Sequence, residues 1–167
     1  MSARTVRLHR LLRADPEHLY RAFLDADAMS KWLPPYGFTC KVHHLDAKVG
    51  GTFRMSFTNF TTRNGHSFGG AYQQLVPNEL IRYAERFDDP HLPGEMETTV
   101  TLRRVSCGAE LNVVQEGIPE PIPLRNVLSR MAGIARAACE AGRARHTRLA
   151  PRFLRRARNT PMASDRY

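Results

Sequence analysis

The segment TFRMSFTN at residues 52–59 is the clearest indication of the fold, because its apolar and polar side chains alternate without interruption. Phe53, Met55 and Phe57 fall on one face, and the polar residues between them fall on the other. A period of two is that of a β-strand with one face turned towards a core. This stretch therefore predicts a half-buried strand in a sheet protein.

Similar patterns flank this strand on both sides. They predict further strands at residues 5–12, 38–46, 67–76, 80–87, 98–105 and 109–116. Turn chemistry separates several of them, at residues 63–65, 77–78 and 106–108. Short strands joined by tight turns predict an antiparallel meander. Gly69-Gly70 inside one strand predicts a bulge or a bend there.

Helical patterns occur near both ends of the chain. Asp15-Pro16-Glu17 supplies an N-cap residue, an N1 proline and an acidic first turn, and a second short helix is predicted at residues 25–32, before Pro34-Pro35. Residues 126–147 predict an atypical, Ala- and Arg-rich C-terminal helix with a thin apolar stripe. The predicted fold is α+β: a curved antiparallel sheet wrapped around a long C-terminal helix, with two short helices after the first strand.

The charge of the chain is unevenly distributed, although its net value is +9. Residues 1–125 hold 15 Lys and Arg against 14 Asp and Glu, a net of +1, whereas residues 126–167 hold 10 against 2, a net of +8. We therefore expect one domain over residues 1–147 and a basic, disordered tail over residues 148–167. Nucleic-acid binding through that tail is an alternative function, but the body lacks a basic stripe, so no specific nucleic-acid partner is predicted.

The cysteine count and the absence of long apolar runs bear on location. Cys40, Cys107 and Cys139 form an odd, scattered set, which favours a reducing compartment over a disulfide framework. The sequence contains no run of eighteen apolar residues, so no membrane-spanning helix is predicted. No secretory signal is evident at its N-terminus. A cytoplasmic location is expected, and the oligomeric state is left open.

Glu85 is the residue of greatest chemical interest, since it shares a strand face with Ile81, Tyr83 and Phe87. A carboxylate on an apolar face predicts a polar contact for a ligand; the alternative is an ion pair with an arginine such as Arg54, or a position near solvent. The predicted pocket wall comprises Phe53, Met55, Phe57, Tyr72, Tyr83 and Glu85, with Trp32 at its edge. Ordinary core packing is the competing interpretation of the apolar members. No metal site, cofactor motif or catalytic residue is predicted.

Several strings in the chain resemble the START-like (SRPBCC) superfamily, and within it the branch named for the activator of the heat-shock chaperone ATPase. They are DPE at 15–17, LYRAF at 19–23, KWLPP at 31–35, VGGTFR at 49–54, GAY at 70–72, VPNELI at 76–81 and EGIP at 116–119. The resemblance implies a helix-grip (Bet v-like) fold with a cavity between sheet and helix. It also implies a small hydrophobic ligand or lipid, a link to chaperone ATPase activation or stress response, and no fixed catalytic set. A cyclase- or hydrolase-type enzyme using a pocket carboxylate is the alternative.

The resemblance ends near Leu124, where relatives continue into a long helix that begins near a Gly-Trp pair. We hypothesise that a frameshift replaces that helix here. Read from the second base of each codon, ATG for Met131 followed by GCN for Ala132 yields TGG, a tryptophan codon. A shifted frame would also account for an arginine-rich segment that contains no lysine.

Overall fold

The computed structural model describes residues 4–146, and side chains within 4–134 and that of Arg136. The predicted basic tail at 148–167 lies outside the described residues. Along the described chain the order is one strand, two short helices, six strands and a long helix, as the sequence predicts.

One antiparallel sheet of seven strands forms the body of the protein. The strands are β1 (Arg4–Leu12), β2 (Phe38–Leu45), β3 (Thr52–Asn59), β4 (Gly65–Val76), β5 (Leu80–Phe87), β6 (Met96–Val105) and β7 (Gly108–Ile118). Their spatial order is β1-β7-β6-β5-β4-β3-β2, so consecutive strands pair as a meander and β1 closes onto β7. Alternation along each strand then places one row of side chains on a shared inner face.

Three helices cover this inner face and its ends: α1 (Pro16–Ala22), α2 (Ala26–Trp32) and α3 (Leu124–His146). Asp25 caps α2 by accepting a hydrogen bond from the Ala28 amide at 2.7 Å. Asp15 precedes α1 without capping it, because its carboxylate pairs with Arg104 at 2.9 Å. The long helix α3 packs against β1, α1 and α2, and begins two residues earlier than predicted.

The core lies between the sheet and these helices. Apolar residues from the inner face, including Met55, Ile81, Val100 and Leu111, are almost fully buried. From α3, Val127, Met131 and Ile134 join the same apolar cluster at helical spacing. The fold is therefore the predicted helix grip, with a thin apolar stripe on its long helix.

Of the bulge or bend predicted at Gly69-Gly70, the bulge is wrong in position. Gly69 and Gly70 pair regularly with both neighbouring strands, and the register shift between β4 and β5 lies between Tyr72 and Gln74. Glycine is needed at position 70 for close approach: an added Cβ would lie 2.7 Å from the Phe53 ring and 2.0 Å from the Ala84 carbonyl oxygen.

Candidate functional site

Strand register brings four polar side chains into one row across the inner face. Tyr72 lies opposite Tyr83, Tyr83 opposite Thr98, and Thr98 opposite Gln115, so the row crosses β4 to β7. Glu85 lies two residues along β5 from Tyr83 and so points to the same face. A patch of polar groups thus sits within an otherwise apolar interior.

Glu85 is the centre of this patch and is only 2% exposed. Its Oε1 accepts a hydrogen bond from Gln115 Nε2 at 2.9 Å, and Arg130 Nη2 of α3 lies 3.6 Å from the same oxygen. Burial raises the pKa of Glu85, and Arg130 and Gln115 offset only part of that effect. The carboxyl group is therefore held in an environment that favours its neutral form.

Arg130 is the arginine partner of Glu85, which corrects the suggestion of Arg54. Arg54 lies on the outer face and pairs with Asp88 at 2.5 Å instead. Arg130 reaches the interior from α3, with its guanidinium carbon 5.3 Å from the Phe57 ring centre. It lies 5.7 Å from the Phe68 ring centre as well. These cation–π contacts help to offset the cost of burying the guanidinium.

The predicted apolar wall is assembled by the fold. Phe53 contacts the rings of Tyr72 and Tyr83, with centroids 5.5 and 5.6 Å apart. Met55 is fully buried, and the Phe57 ring lies tilted against Phe68 with centroids 4.8 Å apart. The Tyr72 hydroxyl donates to the Phe23 carbonyl at 3.2 Å, so Tyr72 is already satisfied by the protein. Whether these residues touch a ligand stays a prediction.

Trp32 lies at the end of α2, at the edge of this wall. Its Nε1 donates to the Ala22 carbonyl at 2.8 Å, and its ring meets Phe23 edge-on at 4.9 Å. It lines an inner space on one side and an open surface groove on the other. The Trp32 side chain therefore separates the interior space from the surface groove.

Two inner spaces lie under α2 and α3, and both are small. The one beside Phe53, Met55, Tyr72 and Glu85 has no room for the centre of a water molecule. The one between α3 and the Tyr83–Thr98–Gln115 row offers about 20 Å³ to such a centre, which is enough for about one water. Around these described residues the interior is thus closed as it stands.

Thr98 faces the second space and is 2% exposed. Among the described residues, its Oγ1 is the one buried side-chain oxygen or nitrogen without a hydrogen-bond partner. The Tyr83 hydroxyl is close enough for Thr98 to lower the pKa of Tyr83 as a hydrogen-bond partner does, but the contact does not have the distance and angles of a regular hydrogen bond. An orphaned hydroxyl beside a small space is a position at which a bound molecule would gain a contact.

Four contributors to this site were not singled out in the sequence: Phe68, Thr98, Gln115 and Arg130. Thr98 and Gln115 carried a usable signal, because each is a polar residue at an inward position of an alternating strand. Arg130 carried a weaker one, since it lies beside Val127, Met131 and Ile134 on the predicted stripe of the C-terminal helix. Their convergence on Glu85 depends on long-range packing.

The cysteine thiol and the potential metal ligands among the described residues form no second reactive site. Burial raises the pKa of the Cys40 thiol to about 11, so the thiol is held in its unreactive form. Residues 4–146 contain no group of three or more histidine, cysteine or carboxylate side chains placed to hold a metal ion. Over the same range, every helix is too short or too polar to span a bilayer.

A curved antiparallel sheet, a long helix across its inner face and a polar patch enclosed between them define a helix-grip protein of the START-like class. The chain matches the family described as Activator of Hsp90 ATPase homolog 1-like protein over residues 13–137. This match spans most of the chain, and the protein belongs to that family.

Solved structures agree with this assignment. A protein from Chromobacterium violaceum is 53% identical, with a TM-score of 0.77 over 80% of this chain and 96% of that chain. A protein from Rhodobacter sphaeroides is 19% identical, with a TM-score of 0.72 over 84% and 93%. An AHSA1-like protein from Aeromonas hydrophila is 14% identical, with a TM-score of 0.68 over 83% and 94%. The last two show the fold alone. A search of curated proteins found no match.

Proposed function

We propose that this protein is a binding module for a small, largely apolar molecule held between the inner face of the sheet and α3. The observation that carries the proposal is the polar patch of Glu85, Gln115 and the unpartnered Thr98 hydroxyl inside an apolar interior. Ligand pockets are typically apolar with a few convergent polar groups. Family membership, which suggests a ligand-binding domain, supports the same proposal.

The ligand chemistry follows from the patch. Thr98 can donate or accept one hydrogen bond, so a ligand with one hydroxyl, carbonyl or amide group suits it better than a pure hydrocarbon. A space of about 20 Å³ holds no organic molecule, so binding requires α3 or the Trp32 wall to move outward. The described conformation is then the closed state of a two-state module.

Thr98→Val tests this proposal, because valine keeps the shape and removes the hydroxyl. An unsatisfied buried hydroxyl costs about 1–3 kcal/mol, so the variant should unfold at the same or a higher temperature. We expect its affinity for n-octanol to fall several-fold while its affinity for n-octane is unchanged, with Trp32 fluorescence and native mass spectrometry as readouts. Thr99→Val, on the outer face, is the matched control. Equal octanol binding by wild type and Thr98→Val would refute the proposed contact.

An enzyme is the second candidate, and the raised pKa of the buried Glu85 carboxyl favours it. A cyclase- or hydrolase-type reaction could use such a group as a general base. Glu85→Gln would then abolish turnover and leave ligand affinity largely intact. Binding is the stronger proposal, because Glu85 already has Gln115 and Arg130 as partners, whereas the Thr98 hydroxyl has no hydrogen-bond partner among the described residues.

Association with a heat-shock chaperone, a role in the stress response and a cytoplasmic location are the finer parts of the proposal. The family description supports the first two, and the free Cys40 and Cys107 suit a reducing compartment. Stimulation of a purified chaperone's ATPase by the full chain is the direct test. A chain that neither binds the chaperone nor changes its ATPase rate would remove this part alone.

A further inference from the structure

An open groove of about 510 Å³ lies on the surface beside Trp32. The loop after α2, the end of β3 and the exposed side of α3 enclose it, through Pro34, Tyr36, Phe60 and Arg136. The Phe60 amide donates to the Gly37 carbonyl at 3.0 Å, which ties the first two segments together. The volume is within the range of about 300–1,000 Å³ that small-molecule sites occupy.

Two aromatic side chains give the groove its apolar character. Tyr36 is 90% exposed and Phe60 is 63% exposed. Both line the same groove, and neighbouring exposed apolar groups in one groove are typical of a ligand-binding surface. Pro34 and Trp32 extend the apolar lining inward.

The charge of the groove is of one sign. Its lining includes Lys31 and Arg136 and no carboxylate. Within the part of the chain that the structure describes, Lys31 and Arg136 make no ion pair, whereas Arg54, Arg82, Arg103 and Arg104 on the outer face of the sheet all have one. Aromatic walls with two uncompensated cations complement an apolar molecule that carries an anionic group.

We propose that this groove binds a small amphipathic organic anion, with its carboxylate near Lys31 and Arg136 and its apolar body against Tyr36 and Phe60. This site is distinct from the proposed interior site, since its occupant needs no movement of α3. Trp32 lines both spaces, so the single tryptophan of the chain reports on occupancy of either.

The test compares three probes with the same alkyl chain on the full-length protein: decanoate, decanol and decyltrimethylammonium, each below its micelle concentration. We expect decanoate to bind tightest, as judged by calorimetry and Trp32 fluorescence. Its affinity should fall as salt rises, because exposed charges are screened. Equal binding of decanol and decanoate, or no decanoate binding at its solubility limit, would overturn the proposal.

Variants locate the site. Lys31→Gln and Arg136→Gln should each weaken decanoate binding by up to about fivefold, the range of an exposed ion pair. Tyr36→Ser should weaken decanoate and decanol alike. Lys41→Gln and Arg86→Gln are exposed controls on other surfaces and should change nothing. Thr98→Val separates this proposal from the interior one: loss of decanoate binding in that variant alone would place the anion inside and refute the groove.

A membrane surface offers the same chemistry and is tested separately. Vesicles containing phosphatidylglycerol should not sediment the protein through this groove if its ligand is a free anion. Sedimentation that is lost in the Lys31→Gln and Tyr36→Ser variants, with no binding of free decanoate, would replace the proposal by a lipid-surface contact.

Discussion

Glu85 makes the stability of the protein depend on pH in a defined direction. Its pKa in the folded state lies above the ordinary value of 4.5. Below pH 4.5 the group is protonated in both states and its contribution is fully present; as pH rises, the unfolded chain releases the proton first, so stability is lost until the pH passes the folded pKa. Glu85→Gln removes this loss. We expect its unfolding free energy, relative to wild type, to increase from about pH 4.5 upward and to level off once the pH passes the folded pKa, as measured by urea titrations.

Glu116→Gln, an exposed carboxylate on β7, is the control for this pH series. The opposite trend in Glu85→Gln, a relative loss of stability as pH rises, would mean that Arg130 holds Glu85 ionised. The contact of 3.6 Å between them is long for a charge-assisted hydrogen bond, which is why burial is expected to prevail.

Strand alternation was sufficient to predict that Glu85 faces inward, but not which group would meet it. Side chains along one strand alternate between its two faces, so the local sequence is enough to predict that Tyr83 and Glu85 share the inner face. The partner comes from α3, whose Arg130 is 45 positions later, and its approach depends on the rotation and crossing of the helix. The same reason left Thr98 and Gln115 unassigned, since their adjacency depends on register between strands.

Helix α3 is positioned by one close contact at Gly133. An added Cβ there would lie 2.3 Å from the Trp32 carbonyl oxygen, so alanine forces α3 away from α2. Alanine favours a helix by about 1 kcal/mol over glycine, whereas overpacking costs about 1–3 kcal/mol. The clash is with rigid backbone, so we expect Gly133→Ala to lower the unfolding free energy by about 1 kcal/mol net.

Ser129→Ala, one turn earlier on the same side of α3, is the matched control and should be neutral or slightly stabilising in the same denaturation experiment. A more stable Gly133→Ala would show that α3 stands away from Trp32.

At this scale the sequence predicted every element and its order, because each had its own period and turn residues. It misplaced the β4 irregularity, because a close approach and a bulge both select glycine.

At the scale of the whole molecule, the cover of the sheet is its weakest part. Among the α3 side chains that the structure describes, the buried apolar ones are Val127, Met131 and Ile134. Arg130 is buried with them at 9% exposure, and the desolvation of a guanidinium opposes its gain from Glu85. By contrast, six of the seven strands contribute buried residues to the core from the sheet side, and β2 packs partly buried side chains against it. The cover is therefore the part whose replacement should change stability most.

The frameshift hypothesis predicts the outcome of such a replacement. A chain in which residues 126–147 are exchanged for the second-frame translation should be more stable, because tryptophan would replace Met131 and leucine can replace Ala135 and Ala138. One additional buried large side chain is worth about 2 kcal/mol or more, which corresponds to a rise in Tm of roughly 4–8 °C for a chain of this size. The control exchanges the same residues for a composition-matched scramble of the second-frame segment. If the unexchanged chain unfolds at the higher temperature, Arg130 and α3 are the fitted cover of this sheet, and the pairing with Glu85 is a feature of the native protein.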